Sequence, residues 1–247
     1  MPSDTQMRST LDGIELEPLH EAFADLFWEL QRSGELRKWH FDDKYYLVAI
    51  DGRGYFCSSK IKCEHCLEQR KKTGSEYYHQ VVAAVLVHPT RKQVVPLAVE
   101  PIEKQDGSHK NDCERNATKR LLKRLRKQHP KLNMLIIEDG LASNAAHISD
   151  LKAHGLHYLL GAKLGDHEHL FTQFERCPNE DEFASVSLTI GKPGKTLETE
   201  TTFCSQSELN KSNPEVKVNF LSHLETDAKT RDVAKRFSWV TDLQIHP

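Results

Sequence analysis

No run of apolar residues in this 247-residue chain approaches the roughly 20 that a membrane-spanning helix needs. The start, Met1-Pro2-Ser3-Asp4, lacks the basic flank and apolar stretch of a secretory signal. Export and membrane insertion are therefore not expected, and the sequence reads as a soluble, cytoplasmic protein. Charge of one sign is not in excess either, with 34 Lys and Arg against 36 Asp and Glu and a formal net charge of -2. With a pI near 6.7, a uniformly basic nucleic-acid binder is excluded, so local patches must carry any contact with phosphates. Six cysteines without an export signal do not make a disulfide framework; thiols or metal ligands are the expectation. A second Cys-x-x-Cys is also lacking, which makes any zinc signal intermediate in strength. A hydrophobic fraction of 38% and a charged fraction of 28% suit an ordinary folded domain with a wet surface.

Against these absences stands Tyr46-Leu47-Val48-Ala49-Ile50-Asp51-Gly52, an apolar strand finishing on a single carboxylate followed by glycine. Met134-Leu135-Ile136-Ile137-Glu138-Asp139-Gly140 repeats the pattern. Side by side, two such strands would bring Asp51 and Asp139 to one sheet edge, where their oxygens can share a hard divalent cation. Asp-Gly is also common turn chemistry, and at either site alone that reading stands equally.

The surroundings add further motifs. Gly54-Tyr55-Phe56-Cys57-Ser58-Ser59-Lys60-Ile61-Lys62-Cys63-Glu64-His65-Cys66-Leu67 follows the first aspartate, then Tyr77-Tyr78-His79-Gln80 and Val95-Pro96-Leu97-Ala98-Val99-Glu100-Pro101-Ile102. Asp106-Gly107-Ser108-His109-Lys110-Asn111-Asp112-Cys113-Glu114-Arg115-Asn116-Ala117 then leads into Lys119-Arg120-Leu121-Leu122. Together these residues resemble the DDE transposases of bacterial insertion sequences, in the branch with a β-rich insertion and a Tyr-Arg-Glu-Lys signature around its last carboxylate. The resemblance extends over nearly the whole chain, from the Pro2 to Arg8 stretch to Trp239-Val240-Thr241-Asp242-Leu243.

Hydrophobic periodicity supplies the organisation. Leu19, Phe23, Leu26, Phe27 and Leu30 predict a helix over 18–32. Strands are expected at 45–58, 77–88 and 93–102, the last two forming a hairpin through Pro89-Thr90-Arg91-Lys92. A helix over 111–128 has Cys113, Ala117, Leu121 and Leu125 on its apolar stripe, and His129-Pro130 ends it. Strand 132–138, helix 144–154 with Gly155 as its stop, and strand 156–162 follow. Beyond Lys163 the texture turns polar, with strands expected at 185–190, 196–204, 216–223 and 237–243. Pattern alone gives an α/β class. The resemblance implies a ribonuclease-H-like mixed sheet with flanking helices, divided into an N-terminal helical segment (1–43), a catalytic core (44–164), a β-rich insertion (165–235) and a returning core strand (236–247).

The chemistry implied by the resemblance is Mg²⁺-dependent phosphodiester cleavage and strand transfer on double-stranded DNA, at insertion-sequence ends and target. Partners would include a second copy or a full-length transposase, and the location would be the bacterial nucleoid. Two ions about 3.5–4 Å apart would activate the nucleophile and stabilise the leaving oxygen. Asp51 would bridge the ions and Asp139 would bind one. No residue here receives the third carboxylate, a glutamate that the family places after the Val-Thr-Asp strand. The expectation is a chain short at both ends with an incomplete, inactive site, or else a non-catalytic fragment that binds DNA or a transposase. Arg53 stands where a small hydroxyl residue is usual, and could pair with Asp51; Ala142 stands where an aromatic is common. Glu100, Asp112, Glu114 and Glu138 are better read as solvated or helix-dipole acids than as substitutes, since Glu138 should face away from Asp139.

Two further sets of residues carry chemistry. Cys63 and Cys66 have the spacing of half a zinc site, with Cys57, His79 and Cys113 as candidate completing ligands and free or buried thiols as the alternative. Lys119, Arg120, Lys123, Arg124, Arg126 and Lys127 are the expected phosphate contacts, and Lys60, Lys62, Arg70, Lys71 and Lys72 form a second basic cluster. Cys177 and Cys204 have no partner motif. His167 and His169 beside Asp166 read as a polar loop before a metal group.

Overall fold

The structure, a computed structural model, describes residues 16–72, 74–104, 110–175, 183–192 and 195–244, together with Ser3 and Gln6. The chain divides into two compact units, Met1–Leu132 and Asn133–Pro247.

The first unit opens with helix α1 (Leu16–Arg32), a 3-10 turn (Glu35–Trp39) and a two-residue strand β1 (His40–Phe41). Strands β2 (Tyr45–Ser58), β3 (Leu67–Lys71), β4 (Gly74–Val87) and β5 (Val95–Pro101) follow, then helix α2 (Lys110–Gln128). All pairings here are antiparallel, and β4 is the strand to which most others register. One edge of β4 takes β2 along almost its whole length. The other edge is divided, with β3 against residues 74–78 and β5 against residues 81–86. The β4–β5 hairpin expected from the Pro-Thr-Arg-Lys turn is present, its turn closed by the Arg91 N–H donating to the His88 carbonyl at 3.1 Å.

Side-chain alternation makes one face of this sheet the core. Val82, Ala84 and Leu86 on β4 are at most 1% exposed, whereas the intervening residues are half-buried. Helix α2 packs on β5 and β4 through Cys113, Ala117, Leu121, Leu122 and Leu125, all buried. Burying each leucine contributes about 1.5–3 kcal/mol. On α1 only His20 and Phe27 are buried, while Leu19, Leu26 and Trp28 remain exposed, so the apolar stripe read from the sequence is wider than the face α1 buries.

The second unit begins with strand β6 (Met134–Glu138), helix α3 (Ala145–Ala153) and strand β7 (His157–Gly161), with β6 and β7 parallel. The Asn144 side chain accepts the His147 N–H at 3.0 Å to start α3, and Gly155 at φ +60° turns the chain out of it, as expected. Helix α4 (Glu168–Glu175) and strands β8 (Phe183–Lys192), β9 (Lys195–Asn210), β10 (Asn213–Asp227) and β11 (Val233–Thr241) complete the unit. The strand order is β6-β7-β11-β10-β9-β8, antiparallel everywhere except β6–β7. The strand around Trp239 returns as expected, pairing Val240 with Leu160 of β7. Asp242 clamps this return: Oδ1 accepts the Tyr158 N–H at 3.0 Å and Oδ2 meets His157 Nδ1 at 2.8 Å.

The protein is thus mixed α/β. Among the described residues no helix is long and apolar enough to cross a membrane. Besides the short 3-10 turn and β1, which the sequence reading does not contain, two longer elements depart from it. Strand β3 has no counterpart in it, and the polar stretch after Gly165 contains α4, whose Phe171 and Phe174 rings meet Phe220 edge-on at 5.0 and 4.9 Å.

His129 follows α2, 5% exposed and against the Phe27 ring at 4.3 Å. Burial, with the Arg126 charge adding to it, holds its imidazole down to about 4. Because the folded pKa lies below the unfolded value, this contribution is complete above about pH 6.5 and is lost as pH falls from there towards 4. The depression corresponds to about 3 kcal/mol. Urea midpoints of the wild type should fall further between pH 7 and pH 4.5 than those of His129→Gln; equal declines would contradict this assignment.

Candidate functional site

The two Asp-Gly pairs turn out to be different local structures. Asp139 lies just past β6, where its Oδ1 accepts the Leu141 N–H at 2.9 Å and its carbonyl accepts from Ala142 at 3.2 Å. This is turn chemistry as well as a strand-end acid. At Asp51 there is no turn. The apolar run ends there, but β2 continues seven residues further to Ser58, with Asp51 opposite Ala83 and Gly52 opposite Val82 in a ladder that is regular as far as a bulge between Gly54 and Phe56. Asp is depleted in strand interiors, and glycine weakens them. The Asp51 side chain is exposed and has no hydrogen bond or ion pair among the described residues; Arg53 does not pair with it.

The glycine at 52 has a local reason. A Cβ built there would lie 2.6 Å from Glu114 Oε1, because the Glu114 carboxylate rests on the strand. Gly52 shares its face with Val82 and Glu100, the face that α2 covers, whereas Asp51 shares the opposite face with Ala83 and Val99. Glu114 and Glu100 therefore point away from the Asp51 carboxylate. Glu100 is engaged as well: Arg124 Nε donates to its Oε1 at 2.9 Å, and Arg120 Nε lies 3.6 Å from Oε2. Glu138 meets His147 Nε2 at 2.5 Å, both side chains 7% exposed. Sequence reasoning did not single out this acid–imidazole pair, although its two members lie nine residues apart. The Asp112 side chain lies outside the described residues.

The basic set on α2 divides by exposure, its arginines half-buried and its lysines exposed. Arg120 Nη2 donates to the Pro101 carbonyl at 2.8 Å, and Arg124 Nη1 reaches both Glu17 oxygens at 3.0 and 3.2 Å. Arg126 caps the helix end, donating to the carbonyls of Pro130 and Leu132 at 3.2 and 3.1 Å. These three arginines join α1, β5 and the chain after α2. Lys119, Lys123 and Lys127, spaced every four residues, are exposed on one helix face. In the second cluster Lys62 lies over the Tyr77 ring at 5.4 Å and Lys71 pairs with Glu76 at 2.5 Å.

Of the cysteine ligands considered, the structure gathers Cys63, Cys66 and His79. His79 Nε2 is 3.2 Å from Cys63 Sγ and 3.3 Å from Cys66 Sγ, and the two sulfurs are 3.5 Å apart. Burial, then the charge of the neighbouring His65, pushes the His79 imidazole below its usual range. Cys57 lies elsewhere because its ladder partner is Tyr78, which turns it to the other face, where it lies 3.7 Å from Glu76. Cys113 is buried on α2. Cys177 falls outside the described residues, and Cys204 is buried on β9 with Ser207 beside it at 3.5 Å. His167 is a core residue, its Nε2 at 3.0 Å from the Ser143 carbonyl, and His169 pairs with Glu208 at 3.2 Å, so neither joins Asp166 in a metal group.

No protein-family model matches the chain, and no curated protein matches it. Among solved structures it is similar to a chain of the piggyBac transposase synaptic complex with hairpin DNA, at 8% identity and a TM-score of 0.41. The match covers 82% of this chain, which spans about a third (34%) of that one.

The two glycines beside the aspartates should respond differently to a methyl group. At Gly161 a Cβ would lie 2.9 Å from the Gly140 nitrogen and 3.2 Å from the Asp139 carbonyl carbon, both backbone atoms. At Gly52 it meets only the end of a flexible glutamate. Gly161→Ala should cost about 1–3 kcal/mol in urea denaturation, and Gly52→Ala clearly less; the reverse order would contradict the packing described.

Proposed function

We propose that this chain belongs to the machinery of metal-dependent phosphodiester cleavage and strand transfer on DNA, on a ribonuclease-H-like fold of the insertion-sequence transposase kind, with two of the metal-binding carboxylates and a site that is inactive as it stands. Asp51 and Asp139 are the carboxylates assigned to Mg²⁺. The observation that supports the reading best is the place of Asp51. A solvent-facing carboxylate with no partner among the described residues, in the middle of a fourteen-residue strand, contributes nothing visible to the fold. Functional carboxylates are commonly kept at such a cost to local stability. The motifs on both sides of Asp51 supply the family resemblance.

The chemistry follows from the ligand type. Mg²⁺ prefers carboxylate oxygens and retains several waters, so one or two acids suffice to hold it. When bound it would polarise a phosphoryl oxygen and lower the pKa of the attacking water or hydroxyl. Asp51 offers both oxygens. Asp139 offers Oδ2 and the remaining lone pair of Oδ1, and the Leu141 N–H that Oδ1 accepts orients the carboxylate. The third carboxylate of the family is not assigned to any residue here.

Phosphate binding falls to the lysines. Lys119, Lys123 and Lys127 repeat on one exposed face of α2 and suit a sequence-independent grip on the DNA backbone. That stripe also supports the second reading, a DNA-binding chain without cleavage.

Titration calorimetry with Mn²⁺ distinguishes the two. The wild type should bind, and Asp51→Ala and Asp139→Ala should each weaken binding by about tenfold or more, equal to about 1.4 kcal/mol. Binding unchanged in Asp51→Ala would remove the catalytic reading. Replacing the three lysines by alanine should leave Mn²⁺ affinity alone and reduce the salt slope of DNA binding by about 3, at about 0.9 for each phosphate that is no longer neutralised. An unchanged slope would remove the stripe from the DNA interface.

A further inference from the structure

We infer that Cys63, Cys66 and His79 form a zinc site that holds the segment between β2 and β3 onto β4. The three ligand atoms form a triangle with sides of 3.2, 3.3 and 3.5 Å. Around a tetrahedral Zn²⁺ with ordinary bond lengths, two sulfurs lie about 3.8 Å apart and sulfur and nitrogen about 3.6 Å apart. The cluster is thus a few tenths of an ångström tighter than a loaded site, and small side-chain rotations open it. The backbone already has the required form. The Cys63 N–H points to Cys66 Sγ at 3.2 Å and the Cys66 N–H donates to the Cys63 carbonyl at 3.3 Å, so the Cys-x-x-Cys turn is closed and offers a donor to a thiolate. His79 is positioned by the rings of Tyr55, stacked at 5.8 Å, and Phe56 at 5.6 Å.

Packing gives the reason a metal is needed. Residues 59–65 are all exposed, and of β3 only Leu67 is buried. A segment of this kind has almost no apolar core, and small elements without one are commonly stapled by disulfides or metals. The sulfur separation of 3.5 Å is not a disulfide, and Cys63 and Cys66 are free thiols. Two thiolates and a neutral imidazole suit Zn²⁺ over the hard cations proposed for the aspartates. The fourth position is left to water or to His65, whose imidazole is exposed between the two cysteines.

The ligated segment carries Lys60 and Lys62. His79 and Ala83 lie on the same face of β4, and Ala83 is the partner of Asp51, so the zinc and that carboxylate share a sheet face about 13 Å apart along the strand. The metal would fix two lysines on that side of the first unit. The zinc site itself does not depend on the phosphotransfer reading.

The test uses the full chain, purified in reducing buffer without chelator or histidine tag, and analysed by plasma mass spectrometry. One zinc per chain is expected, and Cys57→Ser should retain it. Cys66→Ser and His79→Ala should each lose it. As a check independent of those variants' folding, metal-stripped wild type titrated with Co²⁺ should develop the visible bands of a tetrahedral thiolate complex with one equivalent. Hydrogen exchange over residues 59–80 should then slow when Zn²⁺ is returned. Less than a tenth of an equivalent of zinc, with no cobalt bands and no change in exchange, would overturn the site. Zinc retained in folded Cys66→Ser would overturn the ligand assignment.

Discussion

The ladder between β2 and β4 is the constraint on which the first unit depends. Eleven registered pairs run from Leu47–Val87 to Ser58–Tyr77, interrupted by one bulge between Gly54 and Phe56. Because side chains alternate across a strand, this register decides which residues meet α2 and which meet the other side. It sends Val82, Ala84 and Leu86 into the core and leaves Asp51, opposite Ala83, on the other face. It also turns His79 away from Tyr78 and Cys57 and towards the two cysteines. A one-residue slip would bury Asp51 and dismantle the cysteine–histidine cluster at once.

Energetics favour the same picture. The aliphatic stripe of α2 and the buried half of β2, β4 and β5 supply the apolar burial that stabilises the first unit. The arginines of α2 tie the helix to Glu100, Glu17 and the carbonyls after it; the partly buried ion pairs among these contacts add little net stability. In the second unit Asp242 and Thr241 do similar work, fixing β11 against the start of β7 through Tyr158. Asp51, the one acid of β2, has no such task among the described residues.

Long periodic segments are legible in the sequence, and short or polar ones are not. Strand 45–58 and helix 111–128 can be read almost to the residue because each carries a strong hydrophobic period. Strand β3, Leu67-Glu68-Gln69-Arg70-Lys71, has one buried residue and is held by its ladder with β4, so it has no apolar pattern to read. Helix α4 is hidden because its first turn is Glu168-His169, and its apolar face of Leu170 and Phe171 sits in an element only eight residues long. Asp51-Gly52 and Asp139-Gly140 look alike as dipeptides, yet only the second makes a turn. That difference lies in the partner strand, which a local reading does not see. Among the basic residues of α2, the arginines cannot be told from the lysines without knowing that Glu17 and Glu100 lie within reach. The motif around Asp106-Gly107-Ser108-His109 and the Cys177 thiol fall outside the described residues.

Chemical denaturation of Asp51→Thr measures most directly the proposed role of Asp51, a residue kept for a ligand and not for the fold. Threonine suits a strand interior better than aspartate by up to about 1 kcal/mol. In EDTA the variant should be at least as stable as the wild type, and on adding Mg²⁺ only the wild type should gain stability. A variant that loses about 1 kcal/mol or more in EDTA, or that gains as much from Mg²⁺ as the wild type, would contradict the claim.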